Sequence, residues 1–159
     1  MAGVQPRQLK FASMSRPNDL AFVREMMARL EDGGVRTWLF GGWAEEVLGL
    51  AGPRAHHDVD LLYPACDFTN ADALIACSDD LAEIGQKRFA HKRAFLCDGI
   101  MTELLLVRRA DGKLITMFRG TTSHIWPADA LDQQVGGVRV ASAAAVLGYR
   151  AIHARLTGG

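Results

Sequence analysis

The chain has 159 residues, 49% hydrophobic and 23% charged, and its 18 basic and 18 acidic residues cancel to a formal net charge of zero. Such a chain suits one soluble globular domain with a sizeable core, and its neutral balance makes a dedicated nucleic-acid or anionic-membrane partner unlikely as an expectation. No apolar run reaches the roughly 20 residues a spanning helix needs, the polar 1–19 stretch lacks a signal-peptide core, and Cys66, Cys77 and Cys97 have no metal-type spacing, so a cytoplasmic protein with reduced thiols is expected.

Residues 1–17 are expected to form a flexible lead-in and 18–159 a single domain. Asn18 or Asp19 caps a helix running through Leu30, with Leu20, Val23, Met27 and Leu30 on its core face and Gly33-Gly34 ending it. Val35 to Phe40 reads as a strand that stops at Gly41-Gly42, and Trp43 to Leu50 as a short helix with Glu45 and Glu46 in its first turn. His57 to Tyr63 is the next strand and Phe68 to Cys77 a helix. Strands are then expected at 83–89, 93–97, 100–107 and 113–118, with Asp98-Gly99 and Asp111-Gly112 as hairpin turns. A short strand at 138–140 precedes a final helix, capped by Ser142 and running through Leu156. The fold class is α+β, a mixed β-sheet flanked by helices. There is no Gly-x-Gly-x-x-Gly and no Walker loop, which excludes the common nucleotide-binding fingerprints.

The chemistry concentrates between Leu39 and Tyr63. Asp58 and Asp60 are two apart on a strand, so both carboxylates face one way, about 7 Å apart along the chain, while Val59 and Leu61 face the core. Two carboxylates so placed can share divalent ions that clamp an in-line displacement at phosphorus. Gly41 and Gly42 allow a phosphate close approach to the backbone. Glu103 is the one charge in the apolar run Ile100–Val107. A buried carboxylate needs a cation or a metal, so Glu103 is a candidate third ligand or general base, with pairing to Arg88, Lys92 or Arg93 as the alternative. Arg54 has the fork geometry for phosphate oxygens. His57 adjoins Asp58 and could shape the metal site, whereas His56 is expected to be exposed.

Together, Gly41-Gly42-Trp43-Ala44, Glu46, Gly52, Arg54, His57, Asp58 and Asp60 resemble the motif of the small lincosamide and aminoglycoside adenylyltransferases, of the DNA polymerase β-type nucleotidyltransferase fold. The strand bearing Glu103 falls where that family has its third carboxylate, and Gly148-Tyr149 resembles its C-terminal segment. The resemblance implies Mg²⁺, a nucleoside triphosphate such as ATP as co-substrate, and transfer of a nucleoside monophosphate to a hydroxyl of a small acceptor, with antibiotic resistance as the family's setting. It implies that Gly41 and Gly42 hold triphosphate oxygens, that Asp58 and Asp60 bind metal, and that Glu103 is a third ligand or base. Two departures stand out: Glu103 where Asp is common, and acids at both 45 and 46. Two other readings compete: a toxin-like nucleotidyltransferase acting on RNA or protein, and a non-catalytic nucleotide-binding domain. A monomer or homodimer fits either way.

Overall fold

A computed structural model of the chain describes residues 16–118, 120 and 122–157, with side-chain environments through His153. Most of the expected 1–17 lead-in therefore lies outside the described residues. Its last part is docked: Arg16 pairs with Glu25, and its guanidinium lies 5.3 Å from the centre of the Phe22 ring.

Helix α1 (Leu20–Asp32) starts where Asp19 accepts a hydrogen bond from the Phe22 amide at 2.8 Å. It buries Phe22, Val23, Met26, Met27 and Leu30, each worth about 1.5–3 kcal/mol of transfer free energy. The following strand β1 is shorter than expected, Trp38–Phe40. Val35 spends its amide on Leu30 O at 2.8 Å, which seals the end of α1 instead of extending the strand. Helix α2 spans Gly41–Val47 rather than 43–50. It begins at the glycines themselves and ends where Gly49 turns left-handed (φ 72°) and its amide bonds Glu46 O. Glu45 and Glu46 thus sit past the first turn of α2, where the helix dipole gives them no advantage.

Strand β2 (Asp58–Pro64), helix α3 (Thr69–Cys77) and the two-residue strand β3 (Ala82–Glu83) follow. The strand expected at 83–89 is absent: after β3 the chain makes a 3₁₀ turn at Gly85–Lys87. β4 (Lys92–Cys97) and β5 (Ile100–Ala110) form a hairpin about Asp98-Gly99, both with positive φ (52° and 78°), the signature of a type I′ turn. β6 (Lys113–Phe118), β7 (Thr122–Ile125), β8 (Gln133–Val135), β9 (Val138–Val140) and α4 (Ala143–Thr157) complete the chain, and β7 and β8 were not expected from sequence. The Ser142 hydroxyl accepts from the Ala145 amide at 3.2 Å and so caps α4 as anticipated.

The main sheet runs β3-β4-β5-β2-β1-β9-β8. It is mixed: β2 pairs parallel with β5 and β1 parallel with β9, and the remaining neighbours are antiparallel. β5 outruns that sheet, and its last residues, Arg108 to Ala110, pair with β6, which carries β7. β2 is central, and Val59, Leu61, Leu62 and Tyr63 are all buried. Among the described residues no helix is long and apolar enough to cross a membrane.

Candidate active site

The sheet register brings the three acids together. β2 and β5 run parallel with Asp60 opposite Glu103, while on its other side Asp60 faces Phe40 of β1. Asp58 shares the face of Asp60 by the two-residue alternation of strands. All three acids line one cleft of about 670 Å³, together with Gly41, Gly42 and Glu45 from α2. Lys87 and Lys92 enter it from the 3₁₀ turn and β4, and Tyr149, Arg150 and His153 enter from α4.

Gly41 has a steric role that sequence did not disclose. Its φ is +61°, and a Cβ there would stand 2.3 Å from Asp60 Oδ2. The glycine is what lets the start of α2 abut the central aspartate. At Gly42 a Cβ would meet Arg54 Nη2 at 2.8 Å and His56 Nδ1 at 3.0 Å, so the loop before β2 folds back over the glycine pair.

That loop is tied down by Glu46, which accepts from the Arg54 amide and pairs with His56 Nε2, both at 3.0 Å. The His56 bond, then the Arg54 amide, hold the Glu46 carboxyl below its ordinary range. His56, expected to be exposed, has a side chain only 4% accessible and lies against Trp43 with ring centres 4.1 Å apart. His57 is the exposed one and is not part of the cleft lining. Arg54 reaches Glu45 at 3.4 Å beside the cleft.

Both oxygens of Glu103 are engaged, one by Lys87 Nζ at 2.6 Å and the other by Lys92 Nζ at 3.1 Å. Burial pushes this carboxyl up, but the two ammonium groups outweigh it and hold Glu103 below the usual glutamate range. Asp60 goes the other way. Burial first, then the charges of Asp58 and Glu103, push its carboxyl up to about 7. Lys92 is thus part of the site rather than a solvated strand charge. Arg93, its neighbour, is not: it is buried, bonds Asp72 at 2.7 Å and lies 4.3 Å from the Phe68 ring centre.

The donor set fits Mg²⁺ in a particular way. Among the described residues no three His, Cys, Asp or Glu side chains form a ready-made metal cage, and the lysines occupy Glu103. Asp58 and Asp60 remain, and burial first, then the charges of the neighbouring acids, push the Asp60 carboxyl to about 7, a cost that a cation relieves. Mg²⁺ commonly takes one or two carboxylates and completes its shell with phosphate oxygens and water. The residues present fit that pattern, with Glu103 next to Asp60 on β5.

The far wall is aromatic. Tyr149 stacks on Trp126 with centres 5.7 Å apart and meets Phe40 edge-on at 5.0 Å. Trp126 is buried packing, its Nε1 donating to Thr116 Oγ1 at 2.8 Å. Lys87, Tyr149, Arg150 and His153 went unread as site residues because neither the 3₁₀ turn nor the approach of α4 to β1 leaves a local signal.

No family model and no curated protein matches the sequence. Solved structures do match. Lincomycin-bound LnuA, a lincosamide antibiotic adenylyltransferase, superposes with a TM-score of 0.67 at 16% identity, over 84% of this chain and 87% of that one. ANT(2″)-Ia in complex with adenylyl-2″-tobramycin gives 0.62 at 17% identity, over 86% and 76%. A Thermotoga maritima protein assigned as a nucleotidyltransferase gives 0.57 at 18%, over 87% and 86%. The chain has the nucleotidyltransferase fold. At these identities the likeness is one of architecture, and it agrees with the α+β mixed sheet expected from sequence. Within the nucleotidyltransferase fold of this chain, the acids at 58, 60 and 103 lie on adjacent strands β2 and β5.

Proposed function

We propose that this protein transfers a nucleoside monophosphate, as from ATP, to a hydroxyl of a small molecule. The observation that carries this reading is the convergence of Asp58, Asp60 and Glu103 on one cleft, against a turn where Gly41 admits no side chain. The fold, shared with two antibiotic-modifying adenylyltransferases, supports it, and an antibiotic-like acceptor is the corresponding expectation.

In this reading Asp58 and Asp60 hold Mg²⁺, which supplies charge neutralisation at the reacting phosphoryl group. The amides of Gly41 and Gly42 and the Arg54 guanidinium bind phosphate oxygens of the nucleotide. His57 and Arg54 both lie beside the cleft rather than in its lining, and of the two Arg54 is the one that reaches a lining residue, Glu45. Glu103, kept ionised by Lys87 and Lys92, orients the acceptor hydroxyl and takes its proton. The hydroxyl oxygen bonds to the α-phosphorus as the bond from that phosphorus to the β-bridging oxygen breaks, and pyrophosphate departs.

Thermal shift and pyrophosphate release test this together. A ligand at 100 times its dissociation constant adds about 2.7 kcal/mol, so Mg²⁺ with the right triphosphate should raise the melting temperature clearly. Asp58→Asn and Asp60→Asn should keep the fold, lose the shift and lower turnover by about a thousandfold or more. Turnover near that of the parent in both variants sinks the mechanism.

A further inference from the structure

Each acid lining the cleft other than the aspartate pair already faces more than one cation. Glu103 carries Lys87 and Lys92. Glu45 carries Arg54 at 3.4 Å and Arg150 at 3.6 Å. The Glu103 cluster therefore has one positive charge in surplus, and Glu45 keeps Arg150 when Arg54 turns to the phosphates. The remaining acids, Asp58 and Asp60, are those assigned to Mg²⁺. With that ion in place, no carboxylate among the described lining residues is left to receive an ammonium group, and the triphosphate in the proposed pose directs its own charge at the metal, the glycine turn and Arg54. Apart from the glycine turn and His153, the rest of the lining is apolar: Phe40, Leu61, Leu105, Val146 and the Tyr149 ring.

We propose that the acceptor is an amphipathic hydroxylated molecule with little positive charge, and that the lysine pair on Glu103 excludes polycationic aminosugars. This narrows the substrate class and rests on nucleotidyl transfer being the reaction. A cleft of about 670 Å³ has room for a ring system against the aromatic wall. A polycation, by contrast, would meet two ammonium groups beside the reacting hydroxyl. Like charges a few ångströms apart repel by enough to change affinity about tenfold even in a well-solvated site.

Calorimetric titration with tobramycin, an aminosugar bearing several ammonium groups, tests the charge argument in the presence of Mg²⁺. Lincomycin, with a single basic nitrogen, is the low-charge probe. Lys87 has a side chain 41% exposed, so Lys87→Gln leaves the fold intact and unmasks Glu103. The expected result is tobramycin binding about tenfold tighter to Lys87→Gln than to the parent. The gain should vanish when Glu103→Gln is added and shrink at high salt, with lincomycin affinity moving less than about twofold. Equal tobramycin affinity for parent and variant overturns the inference, as does a lincomycin gain as large as the tobramycin gain, which would make the lysines a matter of size. Efficient nucleotidylation of tobramycin by the parent overturns it too. Thermal shift of the parent with Mg²⁺ and ATP is read in parallel: its absence counts against nucleotidyl transfer itself, whereas tight tobramycin binding with the shift intact counts against the charge selection alone.

Discussion

At Gly41 two requirements fall on one residue. The backbone is left-handed there, and the position where a Cβ would stand is 2.3 Å from an oxygen of Asp60. Any side chain both strains the turn, at about 1–3 kcal/mol, and displaces the carboxylate on which the proposed chemistry depends. Gly41→Ala should therefore lower kcat/KM by at least about a hundredfold, with modest loss of stability. Gly42→Ala should be milder, because the nearest atom its Cβ meets is the far end of Arg54, which can move aside, while His56, held against Trp43, has to give only a few tenths of an ångström. Steady-state kinetics on the two variants decide the matter; a fully active Gly41→Ala would show that Asp60 has no fixed place against the glycine turn. The aspartates themselves were legible, since the two-residue period fixes their common face whatever the sheet around them. The reason for Gly41 was not, because it depends on which strand lies beside β1.

At the scale of elements, Asn18 joins three of them. Its side-chain amide donates to His56 O at 2.9 Å and to Asp58 O at 3.2 Å, and its carbonyl oxygen accepts from Trp43 Nε1 at 3.0 Å. One side chain thus fixes the start of α1 to the side of α2 and to the first residue of β2. Asn18→Ala leaves the Trp43 indole and two backbone carbonyls without this partner, at about 1–3 kcal/mol. Denaturant unfolding should show that loss, and turnover should fall by more than the fraction unfolded accounts for, because Asp58 is anchored through the same contact. A variant as stable as the parent would mean that solvent replaces all three bonds. The sequence offered Asn18 only as a helix cap, a task that Asp19 performs. Where local chemistry decides, as at the Asp98-Gly99 and Asp111-Gly112 turns, elements were readable to within three residues. Where partners decide, they were not. The 82–89 stretch joins the sheet edge for two residues only, before turning to deliver Lys87 to Glu103. β7 is polar and is held by β6 alone. The parallel pairing of β2 with β5, which sets Asp60 against Glu103, is a choice among topologies that no spacing in the chain specifies.

Across the whole molecule the charges balance, with 18 basic and 18 acidic residues. Near neutrality, global repulsion is therefore small, and the pH dependence of stability reports local groups. Asp60 dominates that response. Its carboxyl ordinarily ionises near 3.8 and is pushed to about 7 in the fold, first by burial and then by Asp58 and Glu103. Between those values the native state holds a proton that the unfolded chain has released, so stability falls as pH rises through the window. Glu103 has the opposite sign: the lysines hold it low, and its contribution is present above the ordinary glutamate range and lost as pH falls through its folded pKa. Comparing the parent with Asp60→Asn isolates the first effect, since an amide mimics the protonated acid at every pH. In the absence of divalent ions, the melting temperatures of the two should approach each other near pH 4 and separate as pH rises. By pH 8 the variant should lead by an amount on the order of 10 °C. Mg²⁺ with a triphosphate should reverse the order, stabilising the parent at high pH and leaving the variant unmoved. Parallel curves without metal would mean that Asp60 ionises like an exposed carboxylate, and the burial among acids that favours a cation at this site would be gone with it.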